Sequence, residues 1–149
     1  MKNIVENKIL ELINTICSIY EMTFSRSRMD FTNGYCFYFA VILKEILPEC
    51  QFCYMQSHYF IKLGDVYYDY RGIIPSTEEG LIIYDEPILF KNLYIIDDLQ
   101  NEYYYANHIG LVDPERDKIV KQYKDFLVQT GKNILQTSQE SKKSKKIEP

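Results

Sequence analysis

The sequence predicts an α+β domain: a central Cys-bearing helix packed on an antiparallel sheet, flanked by N- and C-terminal helices. Three observations carry that expectation. The run CFYFAVILKEIL from Cys36 is apolar on almost every face, which suits a helix in the middle of a domain. HYFIKLGDVYYDY places apolar and polar residues around a Gly64-Asp65 pair, the signal of a two-residue hairpin. Helical patterns at residues 3–20 and from residue 114 stand at either end.

A chain of 149 residues, 46% hydrophobic and 26% charged, is long and apolar enough for one domain-sized core. That domain is expected over 1–136, with 137–149 a basic, polar, disordered tail. Residues 1–131 hold 12 Lys/Arg against 19 Asp/Glu, a net −7, while 132–149 hold 5 against 2, a net +3. An acidic body argues against a nucleic-acid partner. No window reaches the ~18–20 apolar residues of a membrane span, and acidic residues interrupt the apolar N-terminus, so neither a membrane nor a secretion signal is expected. Cysteines at 17, 36, 50 and 53 are too sparse for a secreted disulfide scaffold. The expectation is a cytoplasmic protein with reduced thiols. A glycine-rich phosphate loop and an acidic metal motif are both missing from the sequence, so no cofactor or metal is expected.

In chain order, residues 3–20 set Val5, Ile9, Leu12, Ile13, Ile16 and Ile19 or Tyr20 at helical spacing, opposite Glu6, Asn7, Glu11 and Asn14. Cys17 falls among the apolar turns as a small core residue. Residues 21–32 show no period and read as a loop carrying Arg26 and Arg28. Thr32 or Asn33 can cap the next helix, Gly34 permits a tight turn before Cys36, and Pro48 ends the helix. A short strand is expected at 51–55. In 58–63 Tyr59, Ile61 and Leu63 share one face, and His58, Phe60 and Lys62 the other. VYYDY returns past Gly64-Asp65, which can bring His58 and Asp69 together across the ladder. Ser76 with Glu79 reads as a one-turn helix with a capping box, while LIIYDEP, ILF and LYII are strand candidates. Residues 97–106 are acidic, Tyr-rich and without clear period. Asp113-Pro114-Glu115 starts a helix with Ile119, Tyr123, Phe126 and Leu127 as its buried stripe, and Gly131 is its candidate stop.

The residues that carry chemistry are Cys36 at a helix start, His58 at a strand start and Asp69 on the following strand. A helix N-terminus favours a thiolate, and its unused amides can stabilise an oxyanion. An imidazole moves the proton, and a carboxylate fixes the imidazole's tautomer. The structural alternative is plain: Cys in an apolar helix is usually core, and His and Asp on strands are often structural. Cys50-Gln-Phe-Cys53 has redox or zinc spacing, but it enters a strand rather than a helix and lacks two further ligands.

NGYC with its apolar helix, HYFIKLGD and VYYDYRG together resemble the papain-like fold in its small, transglutaminase-like form. The resemblance implies a cysteine hydrolase or acyltransferase with Cys36 as nucleophile, His58 as base and acid, and Asp69 as orienting group. Its implied bonds are amide, isopeptide or thioester, in a protein or peptide substrate. No Gln precedes Cys36, so Asn33 is the nearest counterpart of that group's side-chain oxyanion donor, beside the amides of Tyr35 and Cys36. A competing expectation is a non-catalytic binding module of the same fold that blocks a macromolecular partner, such as a phage-type inhibitor of a host defence complex. The Tyr-rich, acidic surface around Tyr103–Tyr105 suits protein contact.

Overall fold

The computed structural model describes residues 2–32, 35–83, 85–108 and 114–147. It is an α+β fold built on an antiparallel sheet. Helix α1 spans Lys2–Phe24 and α2 Cys36–Ile46; strands β1 (Gln51–Met55), β2 (His58–Leu63), β3 (Val66–Asp69) and β4 (Gly72–Ile73) follow. A hairpin of β5 (Gly80–Ile83) and β6 (Glu86–Leu89) precedes β7 (Tyr94–Ile96), then α3 (Leu99–His108), α4 (Pro114–Lys121) and α5 (Lys124–Ile147). The main sheet runs β4-β3-β2-β1-β7.

Alternation along the strands divides the core as the sequence pattern requires. Phe52, Tyr59, Ile61 and Tyr68 face the helices, with α2 laid across them. Cys53, Met55, Phe60 and Tyr67 face the other way, under Ile74 and the β5–β6 residues Leu81, Ile83 and Ile88. Helix α2 is buried nearly all round because it has neighbours all round. Phe37 meets Phe52 and Tyr59 of the sheet, Phe39 meets Phe31, and Ile46 lies under Gly131 of α5.

Several elements differ from the pattern reading. Residues 21–32 are not one loop: α1 continues to Phe24 and a 3-10 turn covers Arg28–Thr32. Side-chain pairs stabilise this segment, and such pairs leave no period. The Tyr20 hydroxyl donates to Asp30 Oδ2 at 2.7 Å, Arg26 Nη2 pairs with the same carboxylate at 3.1 Å, and Arg28 Nη2 meets Glu21 at 2.8 Å. Val5, placed on the apolar stripe, is 53% exposed.

Ser76 starts no helix. It bridges Leu81, while Thr77 Oγ1 accepts the amides of Glu79 and Gly80. The aperiodic 97–106 stretch holds α3, whose first turn is capped by Asp98 through the Asn101 amide.

Pro114 opens α4 as expected, and Asp113 lies outside the described residues. Gly131 does not stop a helix. A Cβ there would stand 2.4 Å from Ile46 Cδ1, so the glycine permits α5 to cross close over α2. Phe126, expected in the buried stripe, is 52% exposed, whereas Tyr123 and Leu127 are buried. Helix α5 also runs on to Ile147, past the Gln136 at which the pattern ends the domain; its Gln, Glu and Lys residues are good helix formers. Among the described residues no helix is long and apolar enough to cross a membrane.

Candidate functional site

Cys36 is the first residue of α2. The first bond of the helix runs from the Phe39 amide to the Tyr35 carbonyl at 3.1 Å, so the Cys36 amide is one the helix does not use itself. Tyr35 occupies the cap position and makes no side-chain cap bond. Thr32 belongs to the 3-10 turn and bonds the Tyr70 hydroxyl, and Asn33 lies outside the described residues. Tyr35 is buried, with the Arg26 guanidinium over its ring at 5.7 Å.

The β1–β2 turn brings the imidazole to the thiol. Gln56 and Ser57 both hold positive φ, 50° and 62°, as a tight two-residue hairpin turn requires, though neither is glycine. The turn leaves Cys36 Sγ 4.0 Å from the Ser57 carbonyl and puts His58 at the first position of β2.

The β2–β3 register is Ile61 to Tyr68, Lys62 to Tyr67 and Leu63 to Val66. Continued one step, it sets Asp69 opposite Phe60 and diagonal to His58 on the same face, within reach of a ring and a carboxylate. His58 Nε2 and Asp69 Oδ2 are 3.0 Å apart, with the side chains 0% and 3% exposed. The His58 ring stacks on Phe60, 5.7 Å between centroids.

The three expected side chains therefore converge. Burial works against a charged His58, but its hydrogen bond to the Asp69 carboxylate and then the nearby Cys36 thiol more than offset it and raise its pKa above the ordinary 6.5. Burial likewise works to raise the Asp69 pKa, and the bonds and charges of His58 and Arg71 overcome it and hold the carboxyl below its ordinary 3.8.

Arg71 was not singled out by the sequence. Its amide donates to Asp69 Oδ1 at 2.9 Å and its Nη2 to Oδ2 at 3.1 Å. The signal was its place two residues past Asp69, beside Gly72, where a tight turn folds the chain back on the carboxylate. Asp69 and Arg71 line a cavity of about 160 Å³. A larger groove of about 740 Å³, between α1, the 3-10 turn and the Tyr70–Gly72 turn, shares Arg71 and Asp85 with it.

The other thiols are of a different kind. Burial pushes Cys17 and Cys53 up to about 12 and Cys50 up to about 11. Cys50 and Cys53 are free thiols packed in different parts of the core, on opposite sides of the sheet. Among the described residues no group of three or more His, Cys, Asp or Glu is placed to hold a metal ion. The Glu102 carboxylate, read from sequence as part of a solvated cluster, instead accepts the buried Tyr59 hydroxyl at 2.7 Å. Tyr104 and Tyr105 are exposed, but Tyr103 packs against the core.

The description Phage YunG-like protein matches residues 12–105, well over half of the chain, and the matched span contains Cys36, His58 and Asp69. The chain belongs to that family. No curated protein and no solved structure gave a match.

Proposed function

We propose that this Phage YunG-like protein is a small cysteine hydrolase or acyltransferase of papain-like, transglutaminase-like architecture, working on an amide, isopeptide or thioester carbonyl in the cytoplasm. One observation carries the reading. A buried imidazole is held by a carboxylate at 3.0 Å, and a helix-start thiol close enough to help raise its pKa completes the group.

In this mechanism Cys36 Sγ gives its proton to His58 and attacks the carbonyl carbon. The carbonyl oxygen becomes an oxyanion facing the Cys36 amide. His58 then returns the proton to the leaving nitrogen or sulfur as the C–N or C–S bond breaks, which leaves a thioester on Cys36. Water or an amine releases the acyl group, and His58 takes the incoming proton. Asp69 keeps the imidazole oriented and favours its charged form, and Arg71 keeps Asp69 ionised.

A second reading has its own support. Cys36 is only 2% exposed, while Tyr94 and Tyr104 are 62% and 74% exposed. That combination suits a binding module in which the triad is structural and a partner is gripped elsewhere.

Iodoacetamide labelling of each thiol, followed by mass spectrometry in wild type and His58→Ala, separates the two. Catalysis requires Cys36 to label roughly 100-fold faster than Cys17, Cys50 and Cys53, whose raised pKa values make them internal standards. Losing His58 should then slow Cys36 by roughly 100-fold. Labelling of Cys36 no faster than that of Cys17 would leave the binding module standing and remove the enzyme.

A further inference from the structure

Away from the triad, a cavity of about 350 Å³ is lined by Tyr54, Tyr94, Ile96, Glu102 and Tyr105. Two registers build it. Tyr54 and Tyr94 are direct partners across the β1–β7 ladder, and Ile96 lies two residues on, on the same face as Tyr94. Glu102 and Tyr105 stand three apart on α3 and so share a helix face. The Tyr54 ring lies 6.5 Å from Tyr94 at 44° and 6.3 Å from Tyr105 at 89°, which gives three aromatic walls in different planes. Tyr59 backs the first wall, 4.7 Å from Tyr54. Its hydroxyl donates to Glu102 Oε1, which fixes the carboxylate and leaves Oε2 without a protein donor among the described residues.

We propose that this is a binding site for an alkylammonium group, with the tyrosine rings around the cation and Glu102 as its counter-ion. Ring faces carry negative potential and attract an ammonium, most strongly where several rings surround it. An uncharged apolar ligand would use the rings but strip water from a carboxylate it cannot pair. An anion would be repelled by Glu102 and by Asp97 and Asp98 of the preceding linker. Cys36, His58 and Asp69 do not line the cavity, so the site stands or falls independently of the acyl chemistry.

Two sources share this chemistry: a lysine side chain on a polypeptide and a small free ammonium compound. Isothermal titration of the full chain would use choline, a Lys-containing tripeptide, the same peptide trimethylated on its lysine, and 3,3-dimethylbutanol, the neutral isostere of choline. At least one cation should bind roughly tenfold or more tighter than dimethylbutanol. Tighter binding of a peptide identifies a polypeptide lysine as the source, and tighter binding of choline a free ammonium. Glu102→Gln keeps an acceptor for Tyr59 and the cavity's shape, yet should weaken the preferred cation roughly tenfold. Tyr94→Ala, at an exposed position, should weaken it roughly fivefold. No cation binding more tightly than dimethylbutanol, or cation binding unchanged in both variants with wild-type melting curves, would overturn the proposal.

Discussion

Asp69→Ala is expected to cost about 3–5 kcal/mol of stability near pH 5.5, because it leaves a buried imidazole and a guanidinium without their shared counter-ion. Three bonds converge on that carboxylate, from His58 Nε2, Arg71 Nη2 and the Arg71 amide. The sign of the pH dependence follows from the two shifts. His58 is raised, so its contribution is complete below 6.5 and is lost as pH climbs through the folded value above that. Asp69 is lowered, so its contribution is complete above 3.8 and is lost as pH falls through the folded value below that. Both contributions are complete between those limits.

In the alanine variant the chief force raising His58 is gone, and burial pulls its pKa down. The variant should therefore gain stability relative to wild type as pH rises above 6.5. Urea unfolding at about pH 5.5 and about pH 8.5 would measure this: the deficit should shrink at the higher pH. A deficit that is constant across that range would mean that the pair carries no charge-dependent energy.

The same residues show what a sequence can and cannot disclose about a site. The pairing of His58 with Asp69, and the place of Cys36 at a helix start, were legible because each residue occupies a position set by short-range pattern. An apolar run specified the helix that starts at Cys36, and strand alternation about Gly64-Asp65 put His58 and Asp69 on one face. Arg71 was legible only in part: Gly72 marks a turn two residues past Asp69, but no pattern shows that the turn sets the Arg71 amide and guanidinium on the carboxylate.

The Gln56–Ser57 turn is a similar case. Two-residue hairpin turns usually advertise themselves with Asn-Gly or Asp-Gly, and here two residues with side chains carry the positive φ. Helix α3 was hidden for another reason. Its first turn is stabilised by an Asp98 cap and its middle by a carboxylate bonded to Tyr59 on β2, and neither interaction leaves a helical period. Where local pattern decided the structure, the reading and the fold agree. Where contacts distant in sequence decided it, they part, as at Gly131 packed against Ile46.

Gly80→Val should lower stability by about 3 kcal/mol and the melting temperature by roughly 10 °C. Gly80 pairs with Leu89 at the open end of the β5–β6 hairpin. A Cβ there would stand 1.9 Å from the Ile88 carbonyl oxygen, 2.7 Å from its carbon and 2.9 Å from the Leu89 Cα. All three are backbone atoms, so no rotamer change relieves the clash and the strands must part. Gly64→Ala is the matching control. At Gly64 nothing lies within 4 Å of the added atom, but φ is +62°, so only backbone strain of about 1 kcal/mol opposes the change. One glycine is needed for space and the other for conformation, and the larger penalty belongs to space.

The hairpin also seals the sheet face that carries His58, Phe60 and Asp69, through Leu81, Ile83 and Ile88. If the substitution frees the hairpin alone, β5 and β6 amides should exchange fast while those of β1–β3 stay protected. Water reaching His58 would then relieve the burial that opposes its charge. A Gly80→Val protein melting within roughly 2 °C of wild type, with β5 and β6 still protected, would show that this hairpin does not close over the site.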